Sequence, residues 1–321
     1  MGNEMRMTSD ATASGTGRRE FLKRAAALPA AAAVAAVGGA GVGAATGAVK
    51  AQASVPTIRI GSHDISRLVC GANPFNAGSH LSTFVDREMR AYHTPEQITK
   101  TLRRCYEVGI TCWQGGSANL DLYRGLVDGG CPMHFIAIAS GDDAEIRRLR
   151  DGGCIGIAHH GEATDNLFRG GKLDQVNAYL KRVRDAGLAV GVSTHMPDVV
   201  DAIESRGWDV DYYMTCVYER HRDEKALKAL LGYVPLPPRE VYLREDPPRM
   251  FKAIRATKRP CLAFKILAAG RLSDRKEWVE RAFRETLSSI KPTDGVIIGI
   301  YDRYSDQPAE CAALVRRFGG A

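Results

Sequence analysis

Three histidines and one lysine carry the chemistry open to this sequence. His159, His160, His195 and Lys265 each close or follow a short apolar run. Glu162 stands two residues past the histidine pair, and Tyr218 and Glu219 follow the run Tyr212-Tyr213-Met214-Thr215-Cys216. Neutral imidazoles from two neighbouring strands plus a carboxylate suit a divalent transition metal, and an open coordination position would polarise a carbonyl or hydroxyl. The spacing predicts His160 and His195 as that set, completed by Glu162 or Glu219. Adjacent strand residues point to opposite faces, so His159 takes the place of His160 if the strand is turned the other way. The structural alternative for each histidine is a hydrogen-bonded place in the wall. Lys265 lies within Leu262-Ala263-Phe264-Lys265-Ile266-Leu267, where an ammonium is costly unless paired. Desolvation suits it to a general base or Schiff-base nucleophile, and an ion pair with Glu219 or Glu162 is the alternative. The expected catalytic residues are therefore His159, His160, Lys265 and Tyr218.

Short apolar runs alternate with amphipathic stretches from residue 54 onward, the pattern of βα units on a parallel sheet. A hairpin is expected at Thr57-Ile58-Arg59-Ile60, turning at Gly61-Ser62. Eight strands follow, at residues 68–70, 110–113, 135–139, 155–158, 189–192, 212–216, 262–265 and 296–299. Among the helices, one opens at Thr94-Pro95-Glu96 with a capping threonine and a first-turn proline and closes at Gly109. Another opens at Pro197-Asp198, and a long one spans residues 273–289. Eight such repeats predict an α/β (β/α)8 TIM barrel with a short β-hairpin before it, and its site must lie at the carboxyl ends of the strands. Asn73, His80, Gln114, Asp302 and Arg303 join the residues above at those ends. The proline-rich insertion over residues 232–247 is expected to form part of the rim.

Several of these segments resemble the aldo-keto reductase family. Ile60-Gly61 and Ile65-Ser66-Arg67-Leu68-Val69-Cys70-Gly71 resemble its hairpin and first strand. Gly187-Leu188-Ala189-Val190-Gly191-Val192-Ser193 resembles its fifth strand, and Ala263-Phe264-Lys265-Ile266-Leu267-Ala268-Ala269-Gly270-Arg271-Leu272 its seventh. The resemblance implies an NADP-dependent barrel whose reduction uses a second-strand Asp with a nearby Tyr, a third-strand Lys and a fourth-strand His. Here Gln114 stands at the Asp position, Asn119 near the Tyr position and Ser140 at the Lys position, so only the imidazole of His159 or His160 is kept. A hydride donor without a proton donor of matched pKa is a poor carbonyl reductase. The family's Glu-Asn pair in the last helix reads Glu310-Cys311. If NADP is bound, the resemblance implies Ser193, Phe264, Gly299, Arg303, Ser305 and Gln307 as the residues that hold it. The cofactor stays open between a divalent metal, NADP and neither.

Gly17-Arg18-Arg19-Glu20-Phe21-Leu22-Lys23, followed by an Ala, Gly and Val run and by Ala51-Gln52-Ala53, has the order of a twin-arginine export signal with its cleavage site. Residues 1–53 are expected as the signal peptide and 54–321 as the barrel. The alternative is a retained anchor, since the run is long enough to span a bilayer; its glycines and alanines make it weakly apolar and favour cleavage. Export of a folded chain through the twin-arginine machinery to the periplasm or another extracytoplasmic space is the expectation, with no stable membrane insertion after cleavage. The net charge is +7, and residues 1–53 hold six Lys and Arg against three carboxylates. What remains is too small for nucleic-acid binding without a basic motif. Eight cysteines without a C-x-x-C pair exclude zinc and iron–sulfur frameworks and are expected mostly free and buried. The favoured function is acid/base chemistry, metal-assisted or not, on a carbohydrate-like or other polar carbonyl or hydroxyl compound, as an isomerase, epimerase or lyase. The alternatives are an NADP-dependent oxidoreductase with a rearranged proton donor and a periplasmic binding protein on this scaffold.

Overall fold

A computed structural model describes residues 54–236 and 240–320; the expected signal peptide lies outside the described residues. A two-stranded antiparallel hairpin, β1 (Thr57–Ile60) and β2 (His63–Ser66), precedes eight parallel strands closed into a barrel. In chain order these are β3 (Leu68–Gly71), β4 (Cys112–Gly115), β5 (His134–Ala139), β6 (Gly156–His159), β7 (Ala189–Thr194), β8 (Tyr212–Cys216), β9 (Cys261–Phe264) and β10 (Gly295–Gly299), which pairs back to β3. The (β/α)8 barrel and its hairpin are as the alternation predicts. Among the described residues no helix is long and apolar enough to cross a membrane.

The hairpin closes the amino-terminal end of the barrel. Ile58, Ile60 and Ile65 pack with Val69, Cys112, Ile136, Ala158, Ala189, Tyr212, Met214, Leu262 and Ile297 as the interior cluster, while the alternate strand residues face the helices. Tyr212 fills much of the interior because β7 has no side chain opposite it: a Cβ on Gly191 would lie 2.4 Å from the Tyr212 ring. Arg67 ties the same end together, donating to the carbonyls of Asp294, Lys291 and Gly319 at 2.8, 3.0 and 2.6 Å.

The helices that matter for the site begin where their caps dictate. Helix α1 spans Thr83–Tyr92 and α2 spans Pro95–Glu107, capped by the Thr94 hydroxyl. After β4 come α3 (Leu120–Asp128) and, after β5, α4 (Asp143–Asp151). Two helices, α5 (Gly161–Arg169) and α6 (Asp174–Asp185), separate β6 from β7, and α7 (Pro197–Ser205) follows β7. Beyond β8 lie α8 (Glu224–Leu231) and α9 (Asp246–Ala256), then α10 (Lys276–Ser289) and α11 (Gln307–Phe318). The α10 helix starts three residues later than its sequence pattern suggests, since Lys265 to Ser273 coil through successive turns. All eight cysteines are free and buried.

Candidate active site

The hydrogen-bonded centre of the barrel mouth is a buried Asp-His pair. Residue alternation along β7 turns Ala189 inward and Val190 and Val192 outward, and His195 follows directly on the strand, 5% exposed. Its Nδ1 donates to Oδ2 of Asp165 at 2.7 Å, on the second turn of α5. Asp165, wholly buried, also accepts from the Thr194 hydroxyl at 2.5 Å and from the His195 amide at 3.3 and 3.2 Å. Four hydrogen bonds therefore fix this carboxylate, and through it the imidazole tautomer with Nε2 as the acceptor. Nε2 bonds to no described residue. Burial lowers the His195 pKa against the Asp165 hydrogen bond, and the charges of Arg220 and Lys265 lower it further, so the ring is a neutral base at pH 7. Room for the ring comes from Gly161, where a Cβ would sit 3.2 Å from His195 Cε1 and 2.9 Å from Ser193 Oγ. Phe264, at the end of β9, packs edge-on against the imidazole at 5.6 Å between centroids.

Around this pair the mouth is positively charged. Lys265 is the first residue beyond β9 rather than within it, and its amine is pushed down to about 8, by burial first and then by Arg220 and Arg271. Arg220, 6% exposed, pairs with Glu240. His80 donates from Nδ1 to the same carboxylate at 2.9 Å and accepts from Asn73 at its Nε2, 3.3 Å away. The Tyr242 hydroxyl reaches the other Glu240 oxygen at 3.3 Å, and Arg271 stacks on the Tyr242 ring at 4.3 Å. Burial opposes the charge on Glu240, but His80, Arg220 and Lys265 outweigh it and hold the carboxyl at about 2. His221, 5.5 Å from His195 between centroids, is driven down to about 4 by burial and by Arg220. The insertion between β8 and α9 thus supplies Glu240 and Tyr242 to the rim.

The expected residues separate into those at the mouth and those elsewhere. His195, Lys265, Ser193 and Phe264 converge there. His159 does not: it faces the helices, shares a 2.7 Å hydrogen bond with Thr164, meets the Tyr179 ring edge-on at 4.9 Å, and is held at about 4 by burial. His160 begins α5, half-buried, and its imidazole bonds to no described residue. Tyr218 lines a cleft between α9 and α10 with Phe251, Trp278 and Glu285, its phenol pushed up to about 12 by burial. Glu162 is exposed on the first turn of α5. Glu219 is turned away from both His195 and Lys265 by ion pairs with Arg249 at 2.7 Å and Arg222 at 3.3 Å.

The metal set His160, His195, Glu162 and Glu219 is therefore not assembled; among the described residues no three His, Cys, Asp or Glu side chains are placed to share an ion. The His195 nitrogen nearest a carboxylate is already bonded, and Glu219 is neutralised by arginines. The expected NADP residues are likewise occupied. Arg303 pairs with Glu88, Ser305 donates to Glu310 at 3.0 Å, and the Gln307 side chain accepts from the Tyr301 amide at 2.8 Å. The first turn of α11 is capped by Asp306 and carries Glu310, so an incoming phosphate would meet two carboxylates. A side chain on Gly299 would meet Pro74 at 2.8 Å, so that glycine serves packing.

The sequence reading missed Asp165, Arg220, His221 and Glu240. Asp165 looks like any polar residue of an amphipathic helix, and its partner lies 30 residues away. Arg220 and His221 were legible only as neighbours of Glu219 on a strand end.

The chain matches no protein-family model and no curated protein. Solved structures share the barrel at low identity. A truncated 3-deoxy-D-arabino-heptulosonate 7-phosphate synthase from Thermotoga maritima aligns at 12% identity over 82% of this chain and 91% of that one, with a TM-score of 0.48. A glycerol dehydrogenase from Gluconobacter oxydans aligns at 12% identity over 82% and 95%, with a TM-score of 0.45. An N-acetylneuraminic acid synthetase from Leptospira borgpetersenii serovar Hardjo-bovis aligns at 10% identity over 83% and 89%, also at 0.45. Likeness this distant carries nothing about activity.

Proposed function

We propose that this protein is an enzyme that moves a proton on a small polar carbonyl or hydroxyl compound, as an isomerase, epimerase or lyase. The observation behind this reading is the His195 Nδ1 to Asp165 Oδ2 bond of 2.7 Å at the carboxyl ends of the strands. Asp165 holds the Nδ1 proton, leaving the Nε2 lone pair to accept a proton from a carbon next to a carbonyl or from a hydroxyl. The negative charge that develops on the substrate oxygen is stabilised by Lys265, Arg220 and Arg271, whose fields add in a partly buried mouth. His221 stays neutral there and adds a second hydrogen-bonding imidazole. We further propose that the scaffold is a diverged, exported aldo-keto-reductase-like barrel, on the strength of its strand motifs and of Arg18-Arg19.

The test is hydrogen exchange. Hydroxyaldehydes, hydroxyketones and sugar acids are incubated with the protein in deuterium oxide and followed by NMR. Enzyme-dependent exchange at a carbon beside the carbonyl is expected, falling by about 10²–10⁴-fold in His195→Ala. Asp165→Asn is expected to fall by a similar factor while substrate affinity is kept. Undiminished exchange in His195→Ala removes His195 from the reaction, and tight binding of a compound without any exchange favours a binding protein.

A further inference from the structure

Lys265 is held in a conformation that a lysine does not choose. Its φ is +59°, in the left-handed region, and Ala268 and Ala269 in the same turn have φ of +48° and +51°. Each such non-glycine residue is strained by its Cβ, and strain of this kind persists where the surrounding structure enforces it, often at functional sites. The turn is closed by the Ala268 amide on the Lys265 carbonyl at 2.7 Å and the Gly270 amide on the Leu267 carbonyl at 3.0 Å. His80 and Glu240 across the mouth also have positive φ, 58° and 52°.

The amine this turn presents has no partner among the described residues, neither a hydrogen bond nor an ion pair. The carboxylate whose field reaches it, Glu240, is already shared by Arg220, His80 and Tyr242. Glu219, the carboxylate expected to pair with it, belongs to Arg222 and Arg249. Its charged neighbours include two arginines, Arg220 and Arg271, and the oriented imidazole of His195 feels its charge. A structural lysine would sit on a carboxylate. An unpaired one beside a neutral base and two fixed cations is placed to act as a nucleophile.

We propose that Lys265 forms an imine with a small aldehyde or ketone substrate, an inference that rests on the acid/base reading of His195. The Nζ lone pair forms the C–N bond while the carbonyl π pair moves to oxygen, which takes a proton from solvent. The nitrogen then gives one proton to Nε2 of His195. As the C–O bond breaks, the departing hydroxyl takes that proton back and leaves as water, and a protonated imine remains. Its positive charge draws electrons from the adjacent carbon, which is how proton removal or carbon–carbon cleavage there becomes easy.

The experiment uses the unmutated protein with glyoxylate and sodium borohydride, followed by peptide mapping with mass spectrometry. A reduced adduct is expected predominantly at Lys265, forming with a pH midpoint near about 8 against about 10.4 for an ordinary lysine. Lys265→Arg should lose that adduct while its circular dichroism is unchanged. Adducts on exposed lysines such as Lys100 and Lys228 with Lys265 unmodified overturn the proposal, and so does a Lys265 adduct with the midpoint of an ordinary lysine. His195-dependent proton exchange with Lys265 unmodified leaves the acid/base reading standing and overturns the imine. Labelled Lys265 without His195-dependent exchange does the reverse.

Discussion

The imidazole of His159 is held in the barrel wall, bonded to Thr164 and packed on Tyr179, where burial keeps it neutral down to about 4. On unfolding it regains a pKa of about 6.5, so between those values the unfolded chain binds a proton that the native one does not. Stability contributed by neutral His159 is therefore complete above about 6.5 and lost as the pH falls toward about 4, by up to ~3 kcal/mol. Thermal melts across that window should show Tm falling with acid, and His159→Gln should flatten part of the fall; an unchanged slope would place the acid sensitivity in the other histidines that burial lowers, His93, His134, His195 and His221. His195 differs from His159 in having a buried carboxylate rather than a hydroxyl on Nδ1 and in lying at the barrel mouth rather than facing the helices. That difference separates the proposed base from a wall residue, and no property of the two sequence contexts announces it. Both histidines end β-rich runs, and the one with the better motif, beside a second histidine, is the structural one.

At the scale of elements, capping chemistry is local and was readable. Thr94 caps α2 and Pro197 opens α7 as their residue types predict. Strand edges were less legible. The run Ile110-Thr111-Cys112-Trp113 has strong β character, yet β4 begins at Cys112, because the Ile110 amide still closes α2 on the Cys105 carbonyl at 2.9 Å. Thr111 is taken by Ser66 of the hairpin through two hydrogen bonds of 2.8 and 2.9 Å. Gly191 shows the same dependence on a neighbouring element. The fifth-strand motif marks it as glycine, but the reason is the Tyr212 ring of the next strand. Gly191→Ala is expected to cost about 1–3 kcal/mol or more, read as a lower urea midpoint at unchanged m-value; a wild-type midpoint would mean that Tyr212 swings aside without strain.

At the scale of the whole molecule, the closure of the barrel bears on the proposed export. The barrel's hairpin plug and the Arg67 clamp join residues from both ends of the described chain, so the fold is complete only when its last helix has been made. Such a chain is suited to a route that carries folded proteins. Replacing Arg18 and Arg19 together with lysine is expected to retain the full-length precursor in the cytoplasm, detected by cell fractionation and the mass of the retained chain. Arrival of that variant outside the cytoplasm at unchanged yield would show that the pair is not read as an export signal.

The order of strands and helices, the hairpin and the caps were legible because each depends on residues a few positions apart, through side-chain alternation and capping hydrogen bonds. The candidate site depends on separations of 30 residues between Asp165 and His195 and 160 between His80 and Glu240. Those contacts arise when eight strands close into a ring, which sets the residue that faces each strand end and the one turned toward a helix. One position of register exchanges inside for outside, and this is why His159 went to the wall, His195 to the mouth, and Lys265 to the strained turn just beyond its strand.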